Sequence, residues 1–267
     1  VKSSNIMVSV DLGAAAADRV QLAANIAESF WAKLTGVAAR RCPAFVPAGD
    51  MLEVERAYEA EARRADEQLA EAKALFEREA EPAPRRDWRS ALAEPLAYLV
   101  EQARTADLVV VGRQGPADGD PGPLGVSAGA LLMEVGRPVL VAPPGIERLL
   151  AKRAVVAWKD TREARRALYD ALPFLSGAER VHVVAVGPDA HHEGAEGAAE
   201  YLSGHGIAAV THLLPRPTIG AADELLRFAQ GEEADLIVMG AYGHSRLREW
   251  IFGAPPATSC RRHPSAA

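Results

Sequence analysis

Cysteine is nearly absent from the chain. Its 267 residues include two, Cys42 and Cys260, in no C-x-x-C pair and at no metal-ligand spacing. That excludes a disulfide framework and suits a reducing compartment. A basic excess is lacking too: the net charge of −6 and pI near 5.7 leave no electrostatic footprint for nucleic acid. No apolar run approaches the roughly 18 residues of a membrane span. The start, VKSSNIMVSVDLG, enters a strand pattern directly, with no signal-peptide core. The expected location is therefore cytoplasmic, without membrane or nucleic-acid partners. H-E-x-x-H and G-x-x-x-x-G-K-[ST] are missing, and no G-x-G-x-x-G follows the first strand of either half. Cys42, beside Pro43, has no neighbouring histidine or other base. Nothing supplies a nucleophile with its general base, so a dedicated enzyme is not expected.

What is present is ordinary globular composition, 49% hydrophobic and 25% charged, arranged as strands alternating with helices. NIMVSVDLG, LTGVAAR, DWRSAL, DLVVVG and RPVLVAP read as strands of a first half. PPGIERLLAK is a linker, and RAVVAWKD, ERVHVVAVG, IAAVTHLLP and ADLIVMG read as strands of a second. Between them lie helical patterns, including a long Ala/Glu/Arg-rich one from residue 51 whose alternating charges suit a solvated face. Thr161 stands where an N-cap is needed. No hairpin signal occurs. Continuous Val/Ile/Leu strands alternating with helices predict parallel sheets covered on both faces. The fold class expected is α/β, with two tandem doubly wound, Rossmann-like parallel-sheet domains over 1–145 and 151–267.

The two halves repeat one another at an offset of 128. ADLVVVGRQGPADGDPGPLG, 106–125, aligns with ADLIVMGAYGHSRLREWIFG, 234–253, and three glycines keep register: Gly112, Gly115 and Gly125 against Gly240, Gly243 and Gly253. In doubly wound sheets ligands bind beyond the carboxyl ends of the strands, where the first two glycines of each set fall. Glycine permits positive φ and close approach, successive N–H groups can form an anion nest, and a third glycine opening a helix would add a phosphate-favouring N-terminus. The pattern predicts a phosphate cradle.

Each half resembles a universal stress protein domain, whose nucleotide-binding members carry G-x2-G-x9-G followed by Ser or Thr. GAYGHSRLREWIFG fits that signature through its third glycine, VVAWKDTREARRALYDALPFL resembles the opening strand and helix of tandem members, and GRPVLVAPP the closing strand. The resemblance implies an adenine nucleotide alpha hydrolase-like fold, ATP or ADP as ligand with Mg²⁺, a stress-response role, and pairing of closing strands into an internal pseudo-dimer or a homodimer. It places phosphates on Gly240, Gly243 and Gly253, with His244 and Ser245 at the rim. Asp11, Gly112, Gly115, Gly125 and Ser127 form a degenerate counterpart.

The departures are specific. Val126 follows Gly125, so Ser127 comes one position late. The excursion PADGDPGPL is acidic, and Asp118 and Asp120 would repel a triphosphate unless a cation intervened. Lys159 stands where the first half has Asp11, as a phosphate contact or a solvated lysine. After Gly253 the chain reads APPATSCRRHPSAA, whose prolines oppose a helix. The second domain is therefore expected to lack its last strand. A shifted reading frame is one account of this tail, which resequencing the gene tests. HHE at 191–193 lacks further ligands and reads as a solvated loop. His244 is as readily a surface histidine, and Trp158 and Trp250 read as packing residues. A non-nucleotide scaffold of the same fold is the alternative function.

Overall fold

The computed structural model describes residues 4–41, 51–115 and 118–241. Its frame is two parallel sheets, one in each half of the chain. The first is built from β1 (Asn5–Ser9), β2 (Lys33–Ala39), β3 (Arg85–Ala91), β4 (Leu108–Gly112) and β5 (Val139–Ala142), in the order β3-β2-β1-β4-β5. β1 sits centrally and is wholly buried, pairing in parallel with β2 and β4. Its first residue is polar and satisfied: Asn5 donates to the Thr105 carbonyl at 2.8 Å and accepts from the Thr35 hydroxyl at 2.9 Å.

Helices α1 (Ala16–Phe30) and α2 (Met51–Glu79) cover one face of this sheet. The apolar stripe of α1, Ala16, Val20, Ala23 and Ala27, faces the strands, as its 3.6-residue spacing dictates. Helices α3 (Pro95–Gln102) and α4 (Ala128–Glu134) cover the other face. α3 opens with proline in its first turn, and the Glu94 carboxylate accepts from the Ala97 N–H.

The second sheet repeats this plan with β6 (Arg153–Ala157), β7 (Arg180–Val186), β8 (Ala209–Leu214) and β9 (Leu236–Met239), in the order β8-β7-β6-β9. The four described strands therefore reproduce the first sheet without its fifth. Helices α5 (Arg162–Leu175) and α6 (Ala195–Gly204) share one core with this sheet, and α7 (Ala221–Gly231) shares the core on the opposite face. Thr161 caps α5, its hydroxyl accepting from the Ala164 N–H at 3.2 Å. Trp158 is buried, with its ring N–H donating to the Glu193 carbonyl, as a packing residue should. The first core also receives Phe174 of α5, edge-on to Phe30 at 5.2 Å.

Candidate functional site

The carboxyl ends of β1 and β4 lie side by side, so Ser9, Asp11, Gly112 and the loop after β4 converge on one spot. Of the site residues that the sequence singles out in this half, Asp11 and Gly112 line this spot, and Gly115, Gly125 and Ser127 do not. The space enclosed there is about 20 Å³, little more than one water molecule needs.

Three side chains account for that closure. Arg19, from the first turns of α1, reaches back to the strand end. Its Nε donates to the Ser9 carbonyl at 2.9 Å, and Nη2 lies 2.8 Å from Asp11 Oδ2 in an ionic contact without a hydrogen bond. Both side chains are buried, 5% and 7% exposed. Asp11 Oδ1 is used as well, accepting from the Gly13 N–H at 3.0 Å. Asp118 turns its carboxylate inward, 3% exposed, onto the Arg113 guanidinium: Nε donates to Oδ2 at 2.7 Å and Nη2 to Oδ1 at 2.6 Å. The Gly115 N–H donates to the same Oδ2 at 2.6 Å. The bidentate Arg113 contact, helped by that N–H, holds the Asp118 carboxyl below its ordinary range against the opposing effect of burial. The third side chain is Pro121, packed under Gly125.

The glycines therefore serve the protein's own atoms. A Cβ on Gly112 would meet the Arg19 guanidinium, one on Gly115 would come 2.9 Å from Asp118 Oδ2, and one on Gly125 would come 2.5 Å from Pro121 Cγ. None of the three lies in the left-handed region. The expected positive φ is not their use; close approach is. Gly125 also does not open a helix. It ends a 3₁₀ turn over Gly122–Leu124, and α4 begins three residues later with exposed Ser127 at its N-cap, whose side chain makes no capping bond. Ser127 falls within a G-x-S-x-G string, Gly125–Gly129, but a 3₁₀ turn precedes it where a nucleophile elbow requires a strand. Both aspartates have partners within the loop: Arg113 pairs with Asp118, and Asp120 accepts from the Gly122 N–H at 2.8 Å. Arg19 and Arg113 are the residues that sequence reasoning missed. A charge on the apolar stripe of α1 was the available signal for Arg19.

In the second sheet, Gly240 follows β9 and packs on the first turn of α5. A Cβ there would come 2.6 Å from the Ala164 backbone nitrogen. Lys159 is exposed in the loop after β6. Gly243, His244, Ser245, Trp250 and Gly253, like Cys42 and Cys260, lie outside the described residues. His191 and His192 are exposed in a 3₁₀ turn. Among the described residues no group of three or more His, Cys, Asp or Glu could hold a metal ion, and no helix is long and apolar enough to cross a membrane.

A family model, the Universal stress protein family, matches residues 2–143, more than half of the chain. The chain belongs to the universal stress protein family. The universal stress protein Slr1230 of Synechocystis is 27% identical over 167 residues, 58% of this chain and 55% of that protein. The chain thus spans about half the length of the curated relative it matches. A universal stress protein from Archaeoglobus fulgidus, 16% identical, superposes with a TM-score of 0.60 over 96% of this chain and 94% of that one, a likeness of fold. Another from Archaeoglobus fulgidus, solved in complex with dAMP, is 20% identical over 53% of this chain and 98% of that one, with a TM-score of 0.34. Within this universal stress protein the family match falls on the sheet whose glycine loop is filled by its own side chains.

Proposed function

We propose that this universal stress protein binds an adenine nucleotide, ATP or ADP with Mg²⁺, in its second half, and that the bound nucleotide sets conformation or partner choice. In this reading residues 151–267 form a second domain of the family after a first over 1–145. Gly240, Gly243 and Gly253 cradle the phosphates, with His244 and Ser245 at the rim. The observation that carries the proposal is the G-x2-G-x9-G register of the second half, beginning at Gly240, which follows a strand end packed on the first turn of α5. In this reading the first half is not the nucleotide site. Its enclosed volume is near 20 Å³ and Asp118 engages the Arg113 and Gly115 donors, so no phosphate is assigned to Gly112, Gly115, Gly125 or Ser127. The protein is read as cytoplasmic, with its two halves arranged as a pseudo-dimer.

A second reading, a scaffold of the same fold without nucleotide, is favoured by that filled first half. Calorimetric titration of ATP with Mg²⁺ separates the two, repeated on Gly243→Val. Micromolar binding, about −8 kcal/mol, abolished by the substitution supports the nucleotide reading. No heat and no co-purified nucleotide would overturn it in favour of the scaffold.

A further inference from the structure

The loop after β4 presents an unusual juxtaposition. A bidentate arginine and a backbone N–H converge on one point, an arrangement suited to a phosphate oxygen, and the point is taken by a carboxylate of the same loop. Asp118 meets Arg113 through both oxygens and Gly115 N–H through Oδ2. Gly115 must be glycine here because the carboxylate comes so close. The turn is closed on itself by the Asp118 N–H, which donates back to the Gly115 carbonyl at 3.0 Å. We propose that Asp118 is a built-in occupant of the first half's anion seat, standing where a phosphate would stand, and that it keeps this half from taking phosphate ligands. The inference rests on reading this loop as the counterpart of the second-half cradle.

The repeat supports the assignment from the other side. At the offset of 128, Arg113 falls on Ala241, Asp118 on Arg246 and Asp120 on Arg248. The second half has neither the cation nor the carboxylate of the internal pair, and its excursion carries two arginines where the first carries two aspartates. Like glycines thus frame opposite charges. One loop supplies its own anion, whereas the aligned segment of the other carries basic residues in place of the aspartates.

The seat is reinforced beneath. Arg19 fills the space over Gly112 and is anchored to Asp11 and to the Ser9 carbonyl. An incoming phosphate would have to displace Asp118 without help from Arg19, whose charge is already paired.

The test follows the Gly115 amide in the ¹⁵N-labelled full chain while inorganic pyrophosphate is added. In the wild type that amide should stay still up to millimolar concentrations. In Asp118→Ala it should shift saturably, with apparent affinity at least about tenfold above the wild type, consistent with a charge-assisted site. Adding Arg113→Gln should return it to the wild-type response. Asp118→Asn, which keeps the volume of the side chain, should show a smaller gain of the same kind. A wild-type Gly115 amide that titrates as steeply as that of Asp118→Ala would overturn the proposal. So would two folded Asp118 variants that gain nothing. Unfolding of both variants would also count against it, because an occupant that an external anion can replace cannot be indispensable to the sheet. Gly115 reports the first half alone. Failure here therefore leaves the Gly243→Val experiment to decide the second half, and the reverse also holds.

Discussion

Replacing Arg19 by methionine should destabilise the first half severely, and the size of the loss can be reasoned from the geometry. The guanidinium lies 2.8 Å from Asp11 Oδ2, with both side chains almost fully buried. At an effective dielectric of about 20 the gross attraction at that separation is about 6 kcal/mol. Desolvation of the two charges cancels much of it, so the pair as a whole adds little net stability. Removing one partner is different. Asp11 would keep its Gly13 N–H but remain a buried carboxylate without its cation, at a cost of about 3–5 kcal/mol. The Ser9 carbonyl would lose its Arg19 donor as well, about 1–3 kcal/mol if no water replaces it. Urea denaturation followed by far-UV circular dichroism should show the loss as a lower midpoint for the transition of the first sheet. Arg19→Met combined with Asp11→Leu should recover most of it, because an apolar pair of similar volume replaces a buried ionic one nearly without cost. A single-variant loss below about 1 kcal/mol, or a double variant no better than the single, would refute the reasoning. The same series also bears on ligand binding. If Asp11 were a nucleotide contact and not Arg19's partner, Asp11→Asn would weaken binding of ATP while leaving the Arg19 energetics untouched.

Gly240→Ala should lower stability by about 1–3 kcal/mol, because the new methyl would press on the α5 backbone at Ala164, which cannot turn away as a side chain can; an unchanged denaturation midpoint would show that α5 is free to shift. A pH dependence should come from His182 of β7, which is buried against His212 of β8 and against Phe228 of α7, with Glu232 at 3.4 Å. Burial lowers its pKa below the ordinary 6.5, with His212 and Arg180 adding to the effect and Glu232 opposing it. The unfolded chain then takes up a proton before the folded one does, so the contribution of neutral His182 is fully present above about 6.5 and is lost as pH falls through the lowered value. His182→Gln should flatten the fall in stability between about pH 7 and about pH 5, and an unaltered slope would assign it to other groups.

Every described strand overlaps a segment that the sequence marks, although β2 begins one residue and β3 two residues before it, and for the inner strands the reason is plain. A parallel strand buried on both faces needs apolar side chains at consecutive positions, as in IMVSV, LVVV and AVVA, and few other local structures write that pattern. Glycines are less specific. Gly112, Gly115 and Gly125 stand where the repeat predicts, yet each is required by an atom of the protein itself: an Arg19 nitrogen, an Asp118 oxygen, a Pro121 carbon. A glycine that admits a phosphate and one that admits a neighbouring carboxylate have the same spelling. Arg19 was hidden because helical spacing reveals a face but not which long side chain folds back along it. Asp118 was visible as a charge hostile to phosphate, whereas Arg113, five residues earlier, gave no sign of turning toward it. The repeat itself separates the two kinds of information. Gly112 and Gly240 both end a strand against the first helix of their half, so their shared register is what the packing of strand on helix demands and would persist with or without a ligand. The residues that change between the repeats, Asp118 to Arg246 and Asp120 to Arg248, reverse the sign of the charge carried between the second and third glycines. The first glycine of each set is therefore accounted for by the fold, and the proposed second-half cradle rests on Gly243 and Gly253 together with the charges set between them.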